Sequence, residues 1–129
     1  MGKVSVIIPA YNAAGFIENC IKSIKAQTYQ NFEIVVVNDG SKDNTFSILN
    51  RLAQEDSRII VKKKKNSGVS AARNAALMRA TGEYVTMVDA DDDIPENALK
   101  SMVDLMTDEV DMVVGSHMQV RIGKKPYIE

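Results

Sequence analysis

Short β-branched runs alternate with helical periodicities along most of the chain. Val4-Ser5-Val6-Ile7-Ile8 reads as a strand that Pro9 stops, since proline has no N–H to give a ladder. From Ala14 to about Gln27, Ile17, Ile21 and Ile24 share one helical face, with Glu18, Lys22 and Lys25 elsewhere. Phe32 to Val37 is almost continuously apolar, as in a strand covered on both faces. Asn44 or Thr45 can cap a helix reaching about Asp56, with Ile48, Leu49 and Leu52 inward. Ile59-Ile60-Val61 predicts a third strand, and Ser70 to Ala80 an alanine-rich helix ended by Gly82 as a left-handed cap. Tyr84 to Val88 is a fourth strand. Pro95 suits the first turn of a helix carrying Leu99, Met102, Val103 and Met106, and Val110 to Val114 looks like one more strand.

This βαβα order predicts an α/β fold, with a mainly parallel sheet between helical layers. The 129 residues fit one domain, with no repeat and no linker. From about residue 116 to 129 the periodicity fades into a poorly defined tail, and the chain reads as part of a longer protein.

Charge and cysteine content narrow the possibilities. A net charge of −1 gives no global pull towards nucleic acid or an anionic membrane, so any polyanion site must be local. Cys20 is the only cysteine, which excludes an internal disulfide and favours a reducing compartment. Its helical spacing with Ile17, Ile21 and Ile24 predicts a buried structural thiol. No apolar run approaches the ~18 residues a membrane span needs, and the N-terminus lacks a signal-peptide core. The expected location is the cytoplasm, with peripheral contact at the inner membrane face left open.

In an open parallel sheet, ligands bind beyond the carboxyl ends of the strands. Polar and glycine-containing segments do follow the predicted strands: Pro9-Ala10-Tyr11-Asn12, Asn38-Asp39-Gly40-Ser41, Lys62 to Gly68, and Asp89-Ala90-Asp91-Asp92-Asp93. In extended chain Asp89 and Asp91 point the same way, and carboxylates so close repel unless a cation or proton intervenes. Mg²⁺ or Mn²⁺ suits such oxygen ligands. Taken alone, the run reads equally well as a solvated turn whose Asp92 and Asp93 cap the helix at Pro95. Asp39 alone is better explained as a turn residue, with Ser41 or Asp43 capping the next helix. Lys62 to Lys65 alone reads as a solvated strand end, although it can draw in a diphosphate. Asn66-Ser67-Gly68 leads into a helix N-terminus suited to an anion, with Arg73 one turn inside.

In order, these segments resemble family 2 glycosyltransferases of the GT-A fold. The matching blocks are Val4 to Asn12, Ile34 to Thr45, Asn66 to Asn74 and Gly82 to Asp92. The resemblance implies a Rossmann-like three-layer α/β/α domain, of which this chain is the N-terminal, nucleotide-sugar-binding part. It implies that Pro9, Ala10 and Tyr11 line the nucleotide pocket beside Asn12 and Ser41, that Asp39 binds the base, and that Gly68 and Arg73 lie near the diphosphate. Asp89 and Asp91, separated by Ala90, match the D-x-D motif: Asp89 contacts ribose or donor sugar, and Asp91 coordinates Mn²⁺ or Mg²⁺. The implied reaction is inverting, metal-dependent transfer from a nucleotide-sugar donor, UDP-linked by default, to a glycan or lipid-linked acceptor. Such proteins are about twice this length, so the catalytic base is expected in a missing C-terminal part. Glu109 and Asp111 read as turn residues, and His117 as neither ligand nor catalyst. Two rivals are a non-catalytic nucleotide-sugar-binding module and a haloacid dehalogenase-type phosphatase. The second fits less well, because Asp93 stands where that motif needs threonine or valine and the motif follows the fourth strand.

Overall fold

The computed structural model describes residues 2–106 in full, and 112–114 and 119–122 as backbone. Its elements are β1 (Val4–Ala10), α1 (Ile17–Lys25), β2 (Phe32–Asp39), α2 (Thr45–Glu55), β3 (Ile59–Lys64), α3 (Val69–Arg79), β4 (Tyr84–Met87), α4 (Ala98–Leu105), β5 (Met112–Val114) and β6 (Gln119–Ile122). The strands form one sheet in the order β3-β2-β1-β4-β6-β5. The first four are parallel, whereas β6 runs antiparallel to β4 and β5. The expected three-layer α/β architecture is present. β6 falls where the sequence pattern predicts no element, and Glu109, Asp111 and His117 lie outside the described residues.

Strand alternation divides the core. Val4, Val6, Ile8 and Ala10 face the layer of α1, α2 and α4, packing with Ile17, Ile21, Ile24, Leu49 and Leu99. Ile7, Val35 and Val37 face α3, meeting Ala72, Ala76 and Leu77. Every residue of β2 is buried, as its apolar run requires. The small side chains of α3 let that helix lie close to the sheet. Among the described residues no helix is long and apolar enough to cross a membrane.

Three expectations need correction. Pro9 does not stop β1, which continues to Ala10 with Pro9 paired to Val37. Ile7 bonds towards β4, since its carbonyl accepts the Val88 N–H at 2.9 Å, and Pro9 has the same parity. Pairing with β4 ends at Ile7, so the missing N–H falls where no partner strand remains. Pro95 precedes α4 instead of starting it: the helix begins at Ala98, and the Pro95 carbonyl accepts the Ala98 N–H in a preceding turn. Asp92 and Asp93 are therefore too far upstream to cap it.

Gly82 is not a left-handed cap either, because only Gly40 and Gly68 among the described glycines take positive φ. It is small because β1 passes so near. A Cβ there would lie 2.6 Å from Ser5 Oγ, 2.7 Å from Ser5 N and 2.8 Å from Lys3 O. The close approach serves a buried network, in which the Gly82 N–H donates to Ser5 Oγ at 2.7 Å and Ser5 donates to Glu33 Oε2 at 2.6 Å. The Thr81 N–H and hydroxyl also donate to Glu33, at 2.7 and 3.0 Å, and Lys3 Nζ lies 3.3 Å away.

Gly82→Ala should cost about 1–3 kcal/mol, read as a lower urea midpoint, because two of the crowded atoms are backbone. Burial pushes the Glu33 carboxyl up, but the hydrogen bonds from Ser5 and Thr81 and the Lys3 charge outweigh this and leave it lowered. The resulting stabilisation is complete above the unfolded carboxylate's range and is lost as pH falls through the folded value. Glu33→Gln should therefore lower the midpoint at neutral pH and flatten the loss of stability on acidification, checked by urea melts across the acid range.

Candidate functional site

The loops beyond β1, β2, β3 and β4 converge on one edge of the sheet. Asp39, at the end of β2, is only 3% exposed. Its Oδ1 accepts the Ser67 N–H at 2.9 Å and its Oδ2 the Gly68 N–H at 3.0 Å. The carboxylate thus pins the turn entering α3, and Lys64 Nζ lies 3.9 Å away. Those two N–H groups already hold an internal anion, which limits the anion site expected of this turn. Gly40 follows at φ 70°, where a Cβ would sit 2.7 Å from the Asn66 nitrogen, so both the backbone conformation and the space favour glycine.

The loop after β1 is tied to the loop after β2. Ser41 Oγ accepts the Asn12 N–H at 2.9 Å, and Asn12 Oδ1 accepts the Lys42 N–H at 2.8 Å. Asn12 has φ 48°, a left-handed conformation that asparagine tolerates better than most residues. Thr45 Oγ1 accepts the Ala13 N–H at 2.8 Å. Asp43, not Asn44, takes the first free N–H of α2, accepting from Thr45 N at 3.0 Å.

The acidic loop rests on α1. Cys20 Sγ donates weakly to the Asp89 carbonyl at 3.5 Å, and Ser23 Oγ accepts the Ile94 N–H at 3.2 Å. Buried Gln27 donates to the Pro95 carbonyl at 2.6 Å and accepts the Leu99 N–H at 3.0 Å, which caps α4 from a distance. Between these anchors the carboxylates of Asp89, Asp91 and Asp92 bring ligand oxygens within 4.8 Å of one another, all exposed. Arg73 Nη2 lies 3.3 Å from Asp89 Oδ1. Three convergent hard-oxygen donors fit a divalent cation such as Mg²⁺ or Mn²⁺.

Two adjoining hollows open over this edge. The first, about 300 Å³, is lined by Pro9, Ala10, Tyr11, Asp39, Asn66, Gly68, Val69 and Ala72. The second, about 240 Å³, is lined by Pro9, Tyr11, Asn12, Ala13, Phe16, Val69, Asp89, Ala90 and Asp91. Pro9, Tyr11 and Val69 belong to both, so the hollows are two lobes of one cleft. The expected site residues thus gather there, except Ser41 and Arg73, which line neither lobe. Ser41 holds the Asn12 loop, and Arg73 reaches the acids from α3. None of Lys62 to Lys65 lines a lobe: Lys62 to Lys64 continue β3, and Lys63 Nζ lies 4.8 Å from the centre of the Phe46 ring.

The glycosyl transferase family 2 profile matches residues 5–129. The chain belongs to that family. It is 40% identical over 116 residues to the glycosyltransferase GlyA of Streptococcus pneumoniae serotype 4, covering 89% of this chain and 17% of that protein. It is 39% identical over 97 residues to the chondroitin synthase of Pasteurella multocida, covering 75% and 10%. Among solved structures it resembles Staphylococcus aureus TarS in complex with UDP, with a TM-score of 0.73 and 35% identity over 79% of this chain and 31% of that one. It also resembles the mannosyltransferase PcManGT of Pyrobaculum calidifontis in complex with GDP-Man and Mn²⁺, with a TM-score of 0.81 and 26% identity over 94% and 44%. The chain therefore spans less than half the length of each of these proteins. Family membership sets aside the phosphatase reading.

The residue pattern leaves Asn66, Val69 and Ala72 unassigned in the first lobe, Ala13 and Phe16 in the second, and Asp92 among the acids. Asn66 and Val69 flank the Ser67-Gly68 turn that Asp39 pins, and Ala72 lies one helical turn beyond Gly68. Asp92 is brought back by a turn in which its N–H donates to the Asp89 carbonyl at 2.9 Å. No periodicity signals that turn.

Cys20 is buried, as its spacing predicts. Burial and then the charges of Asp92, Asp93, Asp91 and Asp89 push its thiol up to about 12. Little thiolate forms near pH 8, so Ellman's reagent should label native protein on the order of 100-fold or more slower than protein unfolded in urea. Equal rates would contradict both the burial and the field of the acidic loop.

Proposed function

We propose that this chain forms the donor-binding part of a metal-dependent, inverting glycosyltransferase. It would take a nucleoside-diphosphate sugar, UDP-linked, and deliver the sugar to a hydroxyl of a glycan or lipid-linked acceptor. The observation that carries this reading is the two-lobed cleft, with a buried carboxylate in one lobe and convergent exposed carboxylates in the other. A carboxylate offers about four acceptor positions, and Asp39 spends two on the α3 turn. The remaining lone pairs suit the imide N–H of a uracil ring, with Tyr11 offering a face for stacking. UDP is preferred to GDP here because the UDP-bound neighbour has the higher identity.

In the second lobe Asp89 would contact ribose or the donor sugar. Asp91, joined by Asp92, would hold Mn²⁺ or Mg²⁺. A bound divalent ion supplies Lewis-acid stabilisation of the charge that develops on a departing nucleoside diphosphate. Arg73, already beside Asp89, can turn its guanidinium to a phosphate oxygen. Acceptor contacts and the carboxylate base that takes the acceptor proton are assigned to residues outside this chain. That assignment rests on the much greater length of the relatives.

Calorimetric titration with UDP, GDP and ADP, with and without Mn²⁺, tests this reading on wild type and Asp91→Ala. UDP should bind best, Mn²⁺ should tighten it, and Asp91→Ala should cost at least about tenfold in the presence of the metal. Binding that ignores both the ion and the substitution would sink the proposal.

A further inference from the structure

Phe16 is poorly explained by the helix it begins. It occupies the N-cap of α1 without a side-chain cap bond, a position where Ser, Thr, Asp or Asn is strongly preferred. Nor does it serve the core. The buried stripe of α1 is Ile17, Cys20, Ile21 and Ile24, whereas Phe16 is 55% exposed. Its backbone is nevertheless held in place. The N–H groups of Phe16 and Ile17 both donate to the Ala13 carbonyl at 2.9 Å, and the Phe16 carbonyl accepts the Cys20 N–H at 3.1 Å. Ala13 is itself fastened to Thr45. A rigid turn thus presents an aromatic ring to the lobe that contains Asp89, Ala90 and Asp91, and not to the lobe of Asp39.

An aromatic face beside carboxylates is the pairing a sugar ring needs. One side of a pyranose presents C–H bonds of partial positive charge to the negative face of the ring, while its hydroxyls donate to carboxylate oxygens. We propose that Phe16 is the stacking surface for a pyranosyl ring, and so a specificity-determining residue of the acidic lobe. The proposal rests on the donor-site reading above. The ring is either the glycosyl group of the donor or the terminal sugar of the acceptor. The chemistry of the contact is the same.

The experiment compares wild type, Phe16→Ala and Phe16→Tyr, each shown to fold by circular dichroism and urea melts. UDP and UDP-GlcNAc are titrated with Mn²⁺ present, and saturation-transfer NMR follows a free methyl N-acetylglucosaminide added to UDP-loaded protein. Phe16→Ala should weaken UDP-GlcNAc about fivefold, leave UDP within about twofold, and be rescued by Phe16→Tyr. If instead the variant loses only the saturation transfer to the glycoside, the ring belongs to the acceptor. Unchanged behaviour of both sugars, or equal loss of UDP and UDP-GlcNAc, overturns the stacking role. Wild type that binds neither nucleotide overturns the donor-site reading, and this inference with it.

Discussion

A carboxylate buried at the end of a strand must find donors, and Asp39 finds them in the backbone that opens the next-but-one helix. Two N–H groups from one turn reach its two oxygens, so the end of β2 and the start of α3 are fixed relative to each other. Much else follows from that joint. It sets the wall of the first lobe, brings Val69 to the ridge between the lobes, and aims α3 so that Arg73 reaches the acids beyond β4. An apolar residue at position 39 would remove both acceptors and leave those two N–H groups to water, so the joint between β2 and α3 would be lost.

The acidic loop is organised differently. Its carboxylates are exposed and repel one another, so its shape comes from the helix beneath it. Cys20, Ser23 and Gln27 lie at successive turns of α1 and its end, and each bonds to the loop or to the start of α4. The raised thiol of Cys20 registers the same field from below. The cleft thus combines one acid satisfied by the protein with a group left for a cation or ligand to satisfy.

Much of this was legible in the residues, for identifiable reasons. The period-two and helical patterns locate the parallel strands and the helices between them, because burial on two faces of a sheet leaves little freedom in residue type. Site residues could be found because strand ends collect on one edge. What escaped depended on contacts between distant segments. Gly82 resembles a helix cap locally, yet its size answers to Ser5 and Lys3 some 77 residues away. Pro9 reads as a strand terminator, and only the early end of β4 makes it harmless. Asp92 looks like a helix cap until the real start of α4 is known. Phe16 stands four residues before Cys20 and eight before Ile24, so helical periodicity alone would place it with the buried stripe instead of beside the cleft.

Strand β3 lies at one edge of the sheet and carries Lys62, Lys63 and Lys64 in its second half. An open edge has unpaired backbone groups that invite another strand. A second copy of β3 laid alongside in parallel register would bring these positive charges against their counterparts and strip water from them. Lysines that line no part of the cleft thus disfavour growth of the sheet across molecules in that alignment.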